Sequence, residues 1–284
     1  MQMPNLQGKV VVITGATSGI GSIAAEELAG MGARMVLVAR DKARAESELA
    51  RLRQRGTAGH SVHYADLSRL DEMKRVGGEI AAAEPRIDVL INNAGALFGQ
   101  RTVTADGLEM TFATNHMSYF VLTEMLRERL AASAPARVIN TSSDAHKGVH
   151  VDFDDLQSAK RYRGFGVYSL SKLLNILYTR ELARSFAGKG VTANSLHPGF
   201  VATRFGDHSG GAFAVMIRMA KTFAITPEKG AETIVYLASS PDAANVTGEY
   251  FYKCRATMPT KDAQDDDAAR RLWAESAKLA GIEA

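Results

Sequence analysis

Lys9-Val10-Val11-Val12-Ile13-Thr14-Gly15-Ala16-Thr17-Ser18-Gly19-Ile20-Gly21 is the stretch that decides the fold. Lys9 to Thr14 is a continuous apolar, β-branched run, the signature of a strand buried on both faces in a parallel sheet. The glycine-rich turn passes directly into an alanine-rich helix, Ile23 to Met31. Glycines let the backbone approach a pyrophosphate, and a helix N-terminus offers free N–H groups and a positive dipole end to hold it. Gly15, Ser18, Gly19, Ile20 and Gly21 are therefore candidate cofactor contacts. The spacing is Gly-x-x-x-Gly-x-Gly rather than the commoner dinucleotide fingerprint, yet strand, glycine turn and helix in this order favour a nucleotide site over a plain turn.

The second strand, Arg34 to Ala39, is followed by Arg40. An acidic side chain at this strand end would hold a ribose 2′-hydroxyl, whereas a basic one suits a 2′-phosphate. Arginine's planar fork matches phosphate, so NADP is favoured over NAD. Asp41 could take the hydroxyl, but it equally suits the N-cap of a helix over Lys42 to Gln54. A third short strand, His60 to Ala65, leads into Asp66-Leu67, where Asp66 could accept a hydrogen bond from an adenine amino group. Ser68 with Asp71 resembles a capping box, which would leave Asp66 freer for the cofactor. The fourth strand, Ile87 to Ile91, ends in Asn92-Asn93-Ala94-Gly95, whose small residues allow a ribose to pass close to the backbone.

A long helical pattern runs from about Thr104 to Leu130 and carries Asn115. The fifth strand, Arg137 to Asn140, leads into Thr141-Ser142-Ser143. Tyr168 and Lys172 share one face of a helix over Phe165 to Phe186, one turn apart. A tyrosine titrates near ~10, so a basic role at neutral pH requires a lowering worth ~3 to 4 kcal/mol. An ammonium at ~5 Å and an effective dielectric of ~20 supplies roughly 3 kcal/mol of that. A sixth strand, Val191 to Leu196, precedes His197-Pro198-Gly199-Phe200-Val201-Ala202-Thr203. Beyond it come an amphipathic, methionine-rich segment to Ile225, a helix over Pro227 to Ser239, a last strand over Glu249 to Lys253 and a helix over Asp265 to Leu279.

A chain of 284 residues with no linker reads as one domain, 1–284. A net charge of +3, with Lys and Arg spread along the chain, does not imply nucleic acid. Cys254 is the only cysteine, so no internal disulfide and no cysteine-based metal site can form, and a reducing, cytoplasmic setting fits. No apolar run approaches ~18 residues, so no integral membrane segment is expected. Met1 to Gly8 lacks the basic and apolar regions of a signal peptide. His146, Lys147, His150, Asp152, Asp154 and Asp155 cluster between Ser143 and Tyr168 without convincing ligand spacing, which reads as a solvated loop and not a metal site.

Thr14 to Gly21 (TGATSGIG), Asn92 to Gly95 (NNAG), Ser143, the Tyr168 and Lys172 pair and the Pro198-Gly199 turn together resemble the short-chain dehydrogenase/reductase family along nearly the whole chain. Thr114 to Phe120, Tyr168 to Leu182, His197 to Thr203 and Arg270 to Ser276 are most similar to its retinol dehydrogenase-like branch. The resemblance implies a Rossmann-type, doubly wound parallel sheet of seven strands in the order 3-2-1-4-5-6-7, with the cofactor across the carboxyl ends of the strands. It implies Tyr168 as proton donor and acceptor, and Lys172 as the group that lowers its pKa and holds the nicotinamide ribose. Ser143, rather than Ser142, would orient the substrate oxygen, and Asn115 would hold a water linking Lys172 to solvent. Val201 and Thr203 would contact the nicotinamide carboxamide, beside Pro198 and Gly199. Similar proteins pair through the helices around Asn115 and Tyr168, so a homo-dimer or homo-tetramer is expected.

The expected activity is NADP-dependent hydride transfer to or from an alcohol or carbonyl carbon. A catalytically silent NADP-binding sensor would have lost Tyr168 or Lys172, and both are present. An epimerase or dehydratase of nucleotide sugars would need more chain after Gly199. A substrate lid is expected over about 204–226, where Phe213, Met216, Ile217, Ala220 and Phe223 form one apolar stripe. The same pattern permits a basic amphipathic helix on a membrane surface, or a lid packed on its own core.

Overall fold

The computed structural model describes residues 4–56, 59–201 and 225–283. The expected lid, apart from Ile225 and Thr226, and the candidate contact Thr203 lie outside the described residues. Eight strands form one sheet in the order β3-β2-β1-β4-β5-β6-β7-β8. They are β1 (Val10–Thr14), β2 (Arg34–Ala39), β3 (Ser61–Tyr64), β4 (Val89–Asn92), β5 (Ala136–Thr141), β6 (Val191–His197), β7 (Tyr250–Tyr252) and β8 (Arg255–Ala256). β1 to β7 run parallel in the expected order.

The eighth strand is an addition to the expectation of seven. β8 pairs antiparallel to β7 with Tyr252 opposite Arg255, leaving Lys253 and Cys254 as a two-residue turn. Both have positive φ, 49° and 59°. A hairpin loop of this kind requires left-handed backbone at both positions and usually announces itself with Asn-Gly or Asp-Gly. Lys253-Cys254 carries no such signal.

Period-two alternation divides the strands between two cores. Val10 and Val12 face one side, against α3 (Leu70–Ala83), α5 (Ser118–Ala132), α6 (Gly164–Ser185) and α8 (Asp266–Ala280). Val11 and Ile13 face the other, against α1 (Gly19–Gly30), α2 (Lys42–Arg53) and α7 (Pro227–Ser239). Helices on both faces explain why β1 is buried at every position. Each fully buried Val, Ile or Leu contributes about 1.5 to 3 kcal/mol.

The helical pattern expected from Thr104 is broken at its start. Asp106-Gly107 turns the chain, with Gly107 at φ 78°, and Val103 bridges Glu109. The buried Glu109 carboxylate then caps α4 (Met110–Phe112), accepting from Thr111 N at 2.8 Å and Phe112 N at 2.7 Å. A π-helical turn, Ala113–Met117, joins α4 to α5 and contains Asn115. At the end of the chain α8 lies against α6, with Trp273 stacked on Tyr178 at 5.7 Å and edge-on to Phe120 at 5.3 Å. Arg127 lies over the Trp273 ring at 5.2 Å, a cation–π contact that closes this corner.

Candidate active site

The glycine turn is strapped to the end of β4. Thr14 Oγ1 accepts from the backbone N–H groups of Asn93 at 2.9 Å and Ala94 at 3.0 Å. Asn93 Nδ2 donates to the carbonyls of Thr14 and Gly15, each at 3.2 Å. The turn is closed by glycine chemistry: Gly15 and Gly19 have φ of 69° and 58°. A Cβ on Gly21 would stand 2.4 Å from the Gly15 carbonyl oxygen, so only glycine lets α1 start this close to β1. Ser18 is the N-cap of α1 without a side-chain capping bond, and the first turn has no acidic residue. Its N–H groups therefore remain available to an anion.

At the end of β2, Asp41 serves as the N-cap of α2, accepting from Arg44 N at 3.0 Å, and pairs with the Arg44 guanidinium. Arg40 is exposed and makes no hydrogen bond or ion pair among the described residues. Asp66 accepts from Ser68 N at 3.0 Å and Ser68 Oγ at 2.8 Å. The expected Ser68–Asp71 capping box is absent: Asp71 pairs with Arg69, and the N-cap of α3 is Arg69. Asp66 is thus less free than the sequence implied, because a two-residue turn places Ser68 directly on its carboxylate. Leu67 is buried in the core beneath it.

Tyr168 and Lys172 sit on α6 with exposures of 8% and 3%. Lys172 Nζ donates to the Thr141 carbonyl at 3.0 Å and lies 5.5 Å from the centre of the Tyr168 ring. Ser143 is half-buried at the end of β5, accepts from Ala145 N at 3.2 Å, and hydrogen-bonds Tyr168. Ser142 instead donates to the Lys172 carbonyl at 2.7 Å, facing the helix and not the site. Asn115 is fully buried, with Oδ1 accepting from Ala96 N at 2.8 Å and Nδ2 donating to Ser171 Oγ at 3.0 Å. A Cβ on the exposed Gly95 would lie 3.3 Å from Asn115 Oδ1 and 3.5 Å from Lys172 Nζ, so glycine leaves that approach open.

The electrostatic balance in the protein alone runs opposite to the sequence expectation. Burial pushes the Tyr168 phenol up to about 12, opposed by its Ser143 hydrogen bond. Burial also pushes the Lys172 ammonium down to about 7. Two groups in one dry site each favour their neutral form, and this outweighs the attraction anticipated between ammonium and phenolate.

At the end of β6, His197 is held neutral, pushed down to about 4 by burial, and stacks on Tyr252 at 4.8 Å. Its Nδ1 accepts from Asp144 N at 3.1 Å and from Gly199 N at 3.3 Å, tying the turn after β5 to the turn after β6. Gly199 follows Pro198 with φ 93°, and a Cβ there would strike Ile225 Cδ1 at 2.6 Å. Val201 bridges Ile225, and its methyl and that of Ile20 each lie 2.7 Å from where a Cβ on Gly230 would sit. The segment after β6 and the start of α1 thereby both pack on Gly230 of α7.

Of the candidate residues, Gly15, Gly19, Gly21, Ala94, Gly95, Asn115, Ser143, Tyr168, Lys172 and Gly199 are tied into this one framework by the contacts given above. Asn92 is not: its side chain is buried in the core, donating to Thr123 Oγ1 at 3.0 Å and Asn140 Oδ1 at 2.9 Å. Thr14, Asn93 and His197 hold the framework and were not singled out by type or spacing. The signal for Asn93 was its place directly after a strand, where its side chain can reach the neighbouring turn. Among the described residues no group of three or more His, Cys, Asp or Glu could hold a metal ion. His146 is instead buried with Nδ1 against the Ser143 carbonyl at 2.7 Å. The uncapped start of α1, the exposed Gly95 and an Arg40 unpaired among the described residues fit a dinucleotide lying across the strand ends.

The family model described as short chain dehydrogenase matches residues 9–210. The chain belongs to the short-chain dehydrogenase/reductase family, whose members bind a nicotinamide cofactor, and it is an oxidoreductase of that family. It is retinol dehydrogenase-like: human retinol dehydrogenase 13 is 41% identical, the match covering 98% of this chain and 86% of that protein. Mouse retinol dehydrogenase 14 is 42% identical over 98% of this chain and 87% of its own length. A solved structure of an uncharacterised protein from Mycobacterium paratuberculosis has a TM-score of 0.79 at 31% identity, covering 99% of this chain and 97% of that one. A Pseudomonas aeruginosa RhlG/NADP active-site complex has a TM-score of 0.70 at 26% identity, covering 88% of this chain and 97% of that one.

The lysine's burial sets a dependence of stability on pH. With a folded value of about 7 against an ordinary 10.5, the unfolded chain binds more protons between the two, so this group's contribution rises with pH across that window. Below it both states are protonated and the full cost of burying the ammonium is felt. Urea titrations of the cofactor-free protein and Lys172→Met should show the variant's advantage greatest below pH 7 and shrinking steadily towards pH 10. A gap independent of pH would place the lysine in contact with water.

Proposed function

We propose that the protein is an NADP-dependent oxidoreductase that reduces a carbonyl, or oxidises the corresponding alcohol, on an apolar substrate. The observation that carries this reading is the convergence of Ser143, Tyr168 and Lys172 beside the exposed Gly95. NADP is favoured because Asp41 is spent as a helix cap while Arg40 stands exposed and unpaired among the described residues. Phe165, 53% exposed, has its ring 6.3 Å from that of Tyr168 and offers an apolar wall to the substrate.

When bound, the nicotinamide supplies or accepts the hydride. Gly15, Ser18, Gly19, Ile20 and Gly21 would receive the pyrophosphate, Arg40 the 2′-phosphate, and Asp66 and Leu67 the adenine. Asn92, Ala94 and Gly95 would offer backbone to the ribose, while Pro198, Gly199 and Val201 would flank the carboxamide. Ser143 and Tyr168 hydrogen-bond the carbonyl oxygen. As the carbonyl carbon gains a hydride, its oxygen becomes an alkoxide, and the Tyr168 O–H gives it the proton. A phenol held neutral is already in the donating form. Lys172, linked to solvent by a water that Asn115 would hold, offsets the phenolate left behind, and the reverse sequence oxidises the alcohol.

In Tyr168→Phe, turnover should drop by several powers of ten while NADPH affinity, read by fluorescence titration, stays within about twofold. Near wild-type turnover would remove Tyr168 from the chemistry. A charge-assisted contact of Arg40 with the 2′-phosphate is worth roughly 1.5 to 3 kcal/mol. Arg40→Leu should therefore weaken NADPH about ten- to a hundredfold and leave NADH little changed; a wild-type preference for NADH would return the ribose to Asp41.

A further inference from the structure

Asn175 lies on α6 one turn beyond Lys172 and is fully buried. Its Nδ2 donates to the Asn115 carbonyl at 3.0 Å and to the Thr141 carbonyl at 3.3 Å. The Thr141 carbonyl is the oxygen that also accepts from Lys172 Nζ at 3.0 Å. The Asn115 carbonyl belongs to the π-helical turn, where a widened backbone disturbs the ordinary hydrogen-bond ladder. The other end of the amide faces His116: the two side chains interact, although neither Asn175 Oδ1 nor His116 Nδ1 completes a hydrogen bond of good geometry. His116 Nε2 meets Ser276 Oγ of α8 at 2.8 Å.

One amide thus touches four elements: α6 which carries it, the carboxyl end of β5, the π-turn, and α8 through His116. We infer that Asn175 is a positioning residue, which sets the height of the Lys172 ammonium beneath Tyr168 by holding the Thr141 and Asn115 carbonyls at a fixed separation. This rests on the reading of Tyr168 and Lys172 as the acid–base unit.

The geometry gives the reason. An amide NH2 has two donors in one plane, so it satisfies two carbonyls only when both stand at the right distance and angle. The Thr141 oxygen accepts from Lys172 and Asn175 together, which fixes the acceptor towards which the ammonium leans. Thr141 directly precedes Ser142 and Ser143 in the chain, so a slipped Thr141 would carry Ser143 with it. Such a shift reaches the proton donor, the oxygen holder and the lysine at once, while the link from Thr141 to the glycine turn is the longer bond from its Oγ1 to Asn93 Oδ1, at 3.4 Å.

The test compares Asn175→Leu, which keeps similar volume and shape without donors, with wild type and with Tyr168→Phe. The expected result is a kcat ten- to a hundredfold lower, with NADPH dissociation constant and substrate KM within about twofold. The deuterium isotope effect with 4-deuterated NADPH should rise as hydride transfer becomes slower. Loss of melting temperature with kcat and isotope effect unchanged would show that Asn175 only fills the core, and would overturn the inference. Should Asn175→Leu fail to fold, Ser276→Ala, remote from any cofactor contact, carries the test: a kcat two- to fivefold lower at unchanged NADPH affinity supports the network, and an unchanged kcat overturns it. Activity persisting in Tyr168→Phe would instead defeat the underlying reading, separately from Asn175.

Discussion

Burying an ammonium and a phenol side by side is the constraint on which the rest of the site depends. Each loses the water that would stabilise its charge, so each is driven towards its neutral form. What the fold provides in return is fixed dipoles: the Thr141 carbonyl at 3.0 Å from Lys172 Nζ and the Ser143 hydroxyl on Tyr168. Those dipoles come from the carboxyl end of β5, while the titrating groups come from α6. The candidate active site is therefore a property of one strand–helix interface, and whatever displaces β5 relative to α6 displaces these groups.

The proposed cofactor half of the site is built on a different interface, between β1, α1 and β4. There the binding surface is backbone, and side chains serve mainly to hold that backbone still. Thr14 and Asn93 exchange bonds across the strand ends, and Gly21 removes the atom that would force α1 away. His197 links the third part, the turn after β6, to the turn after β5. A neutral imidazole suits this task because its unprotonated Nδ1 can accept from two backbone N–H groups. The two halves meet at Gly95, which follows β4 and lies beside Asn115 and Lys172.

Much of this was legible in the sequence because it depends on local pattern. The KVVVIT run specifies a strand covered on both faces, and the glycine spacing specifies the turn into α1. Tyr168 and Lys172 announce themselves through helical spacing. What stayed hidden depends on long-range contact or on backbone without its usual residues. The β7–β8 hairpin turns on Lys253 and Cys254, neither a habitual left-handed residue. The π-turn at Asn115 widens a helix whose side-chain pattern is ordinary. The Ser68–Asp71 capping box was misjudged because Ser68 can serve either a helix or the carboxylate two residues before it, and it does the second. Asn92 was read as a site residue from its place at a strand end, yet its side chain points into the Asn140 and Thr123 contacts. The direction of the Tyr168 shift was missed because spacing conveys proximity of charge but not loss of water.

The ionisation of the Tyr168 phenol tests the central claim most directly. It can be followed by carbon NMR of protein labelled at the tyrosine ring carbon that bears oxygen, the signal being assigned by its disappearance in Tyr168→Phe. If burial governs the pair, Tyr168 in the cofactor-free protein stays protonated through the range in which ordinary tyrosines ionise, titrating near about 12. Saturation with oxidised NADP should then draw it downward. A Tyr168 that ionises at ~10 in the free protein, where a water-exposed phenol does, and is unmoved by NADP would contradict the account.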